Sequence, residues 1–494
     1  IASGSATKVE SPRWMGVMTE GLSTGGQSTG SPSTGGQSTG VLIVGAGPAG
    51  IRAAETCVKA GLHPIIVDEA RQAGGQIYRR PASTVSRSAK DRYGSEAGKA
   101  LALHKCFDLM VSNGQVTHLS QSSVTAIAHQ SAQVLTNEGI KVISFEKLIL
   151  CTGAGDRLLP VPGWQSAGVF SLGAMQIALK TQEVALGRRL VLAGTGPLLT
   201  LVAAQLIRAG AEVAAVLDTA PMRQQVKGAW AMAMARPIVT LRGLYLRAIL
   251  GQRYHAGVRN LRITTNESGP TQLCWQDHTG LDCRTQCDGV GLGWHLMADT
   301  QLADLAGANF YWSTEWSQWL PKVDSAGRLG NGVYLAGDGV RILGADAAEC
   351  AGQIAAAACL EDMGLTCRPG KRALWRHERM QRFASGLATA FQVPQELFTQ
   401  LPSDTVICRC EGVALGDIQA AARRVGPDIN RVKSQCRIGM GRCQGRYCQF
   451  AAGRILAELG QTAPAKIGRL RAQPPLRPLP VSAALQSESV KDPQ

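Results

Sequence analysis

The apolar run Val41-Leu42-Ile43-Val44 leads directly into Gly45-Ala46-Gly47-Pro48-Ala49-Gly50 and then into the Ala-rich helical stretch Ile51 to Ala60. A strand, a glycine turn and a helix in that order leave few choices of fold. Gly45 permits the tight turn, Gly47 lets a pyrophosphate approach the backbone, and Gly50 lets helix and strand pack closely. Pro48 and Ala49, inside the turn, are expected as cofactor contacts together with these glycines. A second strand, Pro64 to Val67, ends at Asp68, where a ribose-binding carboxylate belongs, with Glu69 beside it. The alternative for Asp68 is a solvated loop carboxylate. Together these features predict a βαβ unit of dinucleotide-binding type.

The same pattern returns at Leu190 to Leu217, around Gly194-Thr195-Gly196-Pro197-Leu198-Leu199, with Asp218 ending the next strand. Leu199 stands where the third glycine belongs, and its bulk opposes close packing on a pyrophosphate. Hydride supply from a free nicotinamide cofactor loses support accordingly. Between the two units, Ser123 to His129, Ala132 to Thr136 and Lys141 to Leu150 read as a small β meander. Gly74-Gly75-Gln76-Ile77-Tyr78-Arg79-Arg80 offers a backbone that can approach a cofactor, with Gly75, Gln76 and Arg79 as candidate contacts. An ordinary surface turn is the competing reading.

With 494 residues, 45% hydrophobic and 18% charged, the chain is globular and long enough for two to four domains at roughly 100 to 200 residues each. Residues 1–40 repeat Ser-Thr-Gly-Gly-Gln-Ser-Thr-Gly at Ser23 to Gly30 and Ser33 to Gly40, a linker composition. Neither a secretory signal nor a transmembrane segment is read in the sequence, so a cytoplasmic location is expected. The net charge of +15 raises nucleic acid as a partner, but no basic recognition element accompanies it, and none is expected.

Fourteen cysteines in a reducing compartment should be thiols or metal ligands. Cys57, Cys106, Cys151, Cys274, Cys350, Cys359 and Cys367 stand singly and read as core filling. Cys283 and Cys287 follow no redox-dithiol motif. Cys408-Arg409-Cys410, then 32 residues, then Cys443 and Cys448 give a C-x-C and C-x4-C set able to hold iron as a 2Fe–2S cluster. Zinc competes, although structural zinc sites favour C-x2-4-C knuckles at both ends. The stretch Leu415 to Arg424 reads as helix and Lys433 to Gly441 as a loop offering amide donors to the cluster. Cys436 falls outside the pattern. From Cys408 to Arg471 there are twelve Lys or Arg against four Asp or Glu, a setting that suits an anionic cluster.

Leu150-Cys151-Thr152-Gly153-Ala154-Gly155 resembles the "ATG" segment of two-dinucleotide-domain flavoproteins, and Tyr334-Leu335-Ala336-Gly337-Asp338 resembles their closing Gly-Asp motif. That resemblance makes FAD the leading ligand, with Thr152, Gly153, Gly337 and Asp338 as contacts; the alternative for Asp338 is a helix N-cap. Gly194 and Gly196 are carried as contacts of the second unit.

Val41 to Arg80, Leu159 to Gln176, Val191 to Asp218, Val333 to Ala348 and Val406 to Cys448 together resemble the alpha subunits of bacterial dye-linked amine dehydrogenases and oxidases. D-hydroxyproline dehydrogenase, octopine and nopaline oxidases and dye-linked L-proline dehydrogenase belong here, with hydrogen cyanide synthase and sarcosine oxidase subunits more distant. Gly439 to Cys448 is similar to the family's bacterioferritin-associated-ferredoxin-type cluster segment, with Cys436 where relatives commonly carry Thr. The resemblance implies an α/β, glutathione- or thioredoxin-reductase-like fold of two dinucleotide-binding domains, followed by a small α-rich 2Fe–2S domain.

The expected layout is 1–40 disordered, 41–165 with 286–365 binding FAD, 166–285 an inserted nucleotide-binding-like domain, 366–405 a helical linker, 406–472 the 2Fe–2S domain and 473–494 a Pro-rich, polar, poorly packed tail. The resemblance also implies that the partner is a flavoprotein beta subunit, with a small third subunit, FMN at an interface between subunits, and a quinone or dye as acceptor. In some relatives ATP or NAD takes the place of FAD. Peripheral attachment at the inner face of the membrane is the alternative to a free cytoplasmic complex. Among the eight histidines His295 is the nearest catalytic candidate, a hydrogen-bonded structural role fits it better, and no catalytic residue is expected on this chain. Two alternatives stay open: a self-sufficient NAD(P)H-dependent flavin and iron–sulfur reductase, and a non-enzymatic ferredoxin-like adaptor.

Overall fold

Strands apolar on both faces pair in parallel and need helices on each side, and Val41 to Val44 and Ile65 to Val67 are buried accordingly. The computed structural model describes residues 37–82 and 87–483. The repeat up to residue 36 and the last part of the polar tail, 484–494, lie outside them. The first sheet runs in the order Thr117–Leu119, Ile65–Val67, Gln37–Val44, Gly139–Leu150, Val333–Leu335, Arg328–Gly330. Its first five strands are parallel and the last is antiparallel. Gly139–Leu150 belongs to both layers of this region. Its early residues pair with the hairpin Ser123–Ala128 and Ser131–Thr136, forming the expected meander, and its last four run between Val41–Val44 and Val333–Leu335.

The helix Pro48–Lys59 lies against Ala345–Glu361, and Gly352 is what lets them meet, since a Cβ there would strike the Ala49 backbone. The Ala-rich run Ala355 to Ala358 is buried behind it. The first strand begins at Gln37, so residues 37–40 are part of the sheet rather than of the linker-like segment.

The second sheet is entirely parallel, in the order Tyr254–Ala256, Glu212–Asp218, Arg189–Thr195, Gly289–Trp294, Val169–Ser171. Gly289–Trp294 therefore lies beyond the expected boundary at 285. Its glycines explain the placement: side chains at Gly291 and Gly293 would collide with Met175 and Leu172 of the helix Leu172–Gln182. The chain returns to the first sheet only at Arg328.

The segment expected as a linker forms the helix Lys371–Ala390, which packs along Met222–Ala235. Gly228 and Gly386 face the opposing helix closely enough to exclude any side chain.

The C-terminal unit has a short antiparallel pair, Val406–Cys408 with Val413–Ala414, and the helices Leu415–Val425, Ile429–Cys436 and Cys448–Leu459. Its core residues Ile407, Ile418, Val432 and Ile455 share one core with Val191, Leu217 and Val290 of the second sheet, and Trp164 donates its ring N–H to the Val406 carbonyl at 2.6 Å. Lys433 to Cys436, expected in a loop, complete a helix because Asp428 caps its start, accepting from the Asn430 and Arg431 N–H groups, and Arg437 ends it in the left-handed conformation.

The tail departs from expectation. Leu476 is 1% exposed within the core of the first sheet and donates its N–H to the Thr125 carbonyl at 2.9 Å, while Arg477 pairs with Glu69 at 2.8 Å. Proline-rich composition removes N–H donors but does not stop an apolar side chain from docking. Among the described residues, no helix is long and apolar enough to cross a membrane.

Candidate cofactor sites

The first glycine turn has the required geometry for a phosphate. Gly45 has φ 101°, and a Cβ there would enter the Cys151 carbonyl; one at Gly50 would enter the Gly45 carbonyl. Gly47 caps the helix Pro48–Lys59 with no side chain, leaving that end of the helix dipole to a ligand. A Cβ on Gly47 would meet only Gly75 Cα, at an ordinary 3.7 Å. Gly47 is therefore bare for a reason other than packing. The Gly74–Gly75 loop leans on the turn, with Gly74 N–H donating to the Ala46 carbonyl at 2.8 Å and Gly75 at φ 63°. On the opposite side Gly337 lies against Ala49, where a Cβ would come to 3.0 Å.

Asp68 stands at the end of its strand as expected, yet it also shapes the turn, accepting from the Ala46 N–H and the Ala70 N–H. Burial pushes its carboxyl above the ordinary range. Each oxygen retains a second lone pair, so a ribose hydroxyl can still be received. Glu69 is exposed and engaged by Arg477, a residue to which nothing in the sequence pattern points.

Gln76 and Arg79 are joined by a 2.9 Å hydrogen bond, and Arg79 Nε is buried without a hydrogen-bond partner among the described residues. An orphaned donor of this kind suits a phosphate oxygen. Its neighbour Arg80 is used structurally, in a two-pronged contact with Asp108. Thr152 donates to the Asp299 carbonyl at 2.6 Å and touches the Gly339 position, and Gly153 accepts from the Asp299 N–H. Asp338 accepts from the Leu343 and Gly344 N–H groups through Oδ1, at 2.9 and 3.0 Å. It is thus a cap for the turn ahead of Ala345–Glu361, with Oδ2 left over. Gly45, Gly47, Pro48, Ala49, Gly50, Asp68, Gly75 and Gly337 lie together around the first turn.

The second turn is closed. His295 lies over Gly196, where a Cβ would come within 3.0 Å of the ring, and its Nε2 meets the Phe391 carbonyl at the end of Lys371–Ala390. Burial pushes this imidazole down to about 4, the behaviour of a neutral structural histidine. Asp218 is fully buried and accepts from Thr195, Tyr254 and the Ala220 N–H, leaving no side open to a ribose. Leu199 fills core behind the turn. Gly194 and Gly196, expected as cofactor contacts, instead serve close packing against Gly293 and His295. NADH or NADPH should accordingly leave bound flavin oxidised in stopped-flow measurements. Bleaching on the timescale of turnover would contradict a closed second turn.

The four cluster cysteines form two pairs. The Cys448 thiol hydrogen-bonds the Cys408 sulfur, which also receives N–H groups of Gly439, Glu411 and Cys410; these interactions hold Cys408 down to about 6 against its burial. Its partner Cys448 is driven well upward. Cys410 is exposed, next to Cys443, and is raised by desolvation and by the neighbouring sulfur. Backbone N–H groups aimed at a sulfur favour a thiolate. Gly441 is bare because a side chain would enter Cys410 Cβ. Among the described residues no three His, Cys, Asp or Glu side chains converge on a single metal point. The donor chemistry, four sulfurs in two neighbouring pairs with backbone amides directed at Cys408, fits an iron–sulfur group. The Cys436 thiol donates to the Val432 carbonyl at 3.3 Å.

Residues 39–243 match the model of the pyridine nucleotide-disulphide oxidoreductase family and residues 404–486 that of the sarcosine oxidase A3 domain. The opine oxidase A-subunit of Rhizobium meliloti is 34% identical over 468 residues, covering 90% of this chain and 87% of the relative. The chain belongs to the opine oxidase A-subunit family. Hydrogen cyanide synthase subunit HcnB of Pseudomonas protegens, 32% identical over 90% of this chain and 96% of its own, is a further relative. Membership makes the chain a flavin-dependent oxidoreductase subunit. Among solved structures, L-proline dehydrogenase from P. horikoshii superposes with a TM-score of 0.68 at 18% identity, over 90% of this chain and 79% of that one. The opine oxidase A-subunit fold therefore comprises both nucleotide-type sheets and the cysteine unit.

Proposed function

We propose that the chain is the electron-transfer subunit of a heteromeric dehydrogenase or oxidase acting on a secondary amine or imino acid of opine, proline or hydroxyproline type. A flavoprotein beta subunit oxidises the substrate, and this chain relays electrons to an external acceptor such as a quinone or dye. The observation that carries this reading is the union, in one chain, of a bare phosphate turn at Gly47 and a paired cysteine set at Cys408, Cys410, Cys443 and Cys448, while the second turn is plugged by His295.

FAD would be held by Gly45 to Gly50, Asp68, Gly75, Arg79 and Asp338, and a 2Fe–2S cluster by the four cysteines. When bound, these groups supply conversion between two-electron and one-electron transfer. The chain's own residues orient and insulate them: the glycine turn presents amides, Asp68 locks that turn, and Gly439, Glu411 and Cys410 direct N–H groups at the Cys408 sulfur. FMN at an interface between subunits, a small third subunit, and a cytoplasmic complex or one at the inner membrane face belong to the same reading. Extraction and identification of the bound nucleotide separates FAD from ATP or NAD in the first turn.

The helices Met222–Ala235 and Pro237–Leu250 support the existence of a partner. Trp230, Met234, Ile238, Leu241 and Tyr245 are each 61% or more exposed, an apolar face a monomer would not keep. Arg236 and Arg242 of these helices are already paired with Asp346 and Glu96, so the fitting surface is chiefly apolar. We assign this face to the beta subunit. Ile238→Asp should leave the chain's thermal midpoint unchanged and abolish its co-purification with that subunit; retention of the complex would move the interface elsewhere.

The function itself is tested by purifying the chain alone and in complex with the beta subunit, then following dye reduction by opines, proline and hydroxyproline. Activity is expected only from the complex. Full amine oxidation by the lone chain would defeat the reading.

A further inference from the structure

A cavity of about 660 Å³ opens between the second sheet, the end of the helix Lys371–Ala390 and the cysteine unit. Arg157 and Arg454 both line it, and both lay their guanidinium groups against Phe450, at 4.5 and 5.7 Å from the ring centroid. Arg157 is only 4% exposed. Its Nη2 donates to the Trp316 carbonyl, while Arg454 Nη2 donates to Ser317 Oγ, each at 2.9 Å. The Nε of each is buried without a partner among the described residues.

Two like charges sharing one aromatic ring without a carboxylate are costly. Burial drives Arg157 down to about 9, and Arg454 pushes in the same direction. Arg454 is itself lowered by burial alone. The acidic residues on the cavity lining, Glu315 and Glu396, are exposed. Buried cations are normally paired, so the missing counter-charge is the informative feature. The space is far larger than an inorganic ion requires and falls within the range of organic ligand sites. Trp312, Trp316 and Phe391 supply apolar walls.

We propose that this cavity binds a small organic anion whose phosphate or carboxylate head is held between Arg157 and Arg454 and whose apolar body lies along Trp312, Trp316 and Phe391. The site is separate from the Gly47 turn and does not depend on the electron-transfer reading.

Calorimetric titration of the full chain with phenyl phosphate, benzoate and inorganic phosphate tests it. One of the two aromatic anions should bind saturably, about tenfold or more tighter than inorganic phosphate, and which one does so identifies the head. Arg454→Gln should weaken that binding about tenfold or more. Arg157→Met should abolish it while raising the ligand-free thermal midpoint, because an unpaired buried charge has gone; a merely structural arginine would give a fall instead. If Arg157→Met does not fold, Arg454→Gln decides alone. Absence of saturable binding by all three probes, unchanged affinity in Arg454→Gln, or loss of binding in Gly47→Val instead would overturn the proposal.

Discussion

Cys443→Ser should yield a folded chain whose iron and acid-labile sulfide fall to background while its flavin content is unchanged. Cys443 is buried beside the exposed Cys410 and lies outside the hydrophobic cluster that contains Ile418, Val432 and Ile455. A hydroxyl there costs at most about 1–3 kcal/mol, the desolvation penalty of an unpaired polar group. A lost thiolate, by contrast, removes a ligand that no neighbour can replace. Cys436→Ser is the internal control. Its sulfur is engaged with the Val432 carbonyl, so iron should be retained. Zinc in the unaltered chain, or full iron in Cys443→Ser, would contradict the assignment of these cysteines.

Gly47→Val should remove the flavin without unfolding the protein. The open 3.7 Å approach to Gly75 Cα and the extended φ of −79° mean that a side chain is tolerated by the apo fold. It would stand where the pyrophosphate must approach the helix terminus, and a loss of affinity on the order of 100-fold, about 3 kcal/mol, is expected. Gly45→Ala makes the contrast. At φ 101°, with its Cβ driven into the Cys151 carbonyl, it should lower the thermal midpoint directly. Equal destabilisation by both substitutions, or undiminished flavin in Gly47→Val, would contradict a phosphate role for Gly47.

The first turn could be read from the sequence because its requirements are local: apolar strand, three bare positions and a carboxylate one strand later are all set by short-range sterics. The spacing of Cys408, Cys410, Cys443 and Cys448 is equally legible, and the fold sets Cys408 beside Cys448 and Cys410 beside Cys443. The state of the second turn was only half visible. Leu199 announced the departure, but the plug is His295 held by the Phe391 carbonyl, a contact across 96 residues that no local pattern encodes. The strand Gly289–Trp294 was hidden for the opposite reason. Its glycines look like a breaker until Leu172 and Met175 are seen to fill the space. Leu476 illustrates the same limit, because it docks on Thr125 and the core of the first sheet, far from it in the chain. Arg157 and Arg454 could not be paired from sequence at all, as only folding brings both to Phe450.

The most direct test of the central claim is low-temperature electron paramagnetic resonance of the purified complex after anaerobic addition of its amine substrate. A reduced 2Fe–2S signal should develop, and it should be absent when the same substrate is added to the lone chain or to a complex carrying Cys443→Ser. A signal that the lone chain develops with substrate, or an active complex whose substrate reduction leaves no cluster signal, would contradict the account.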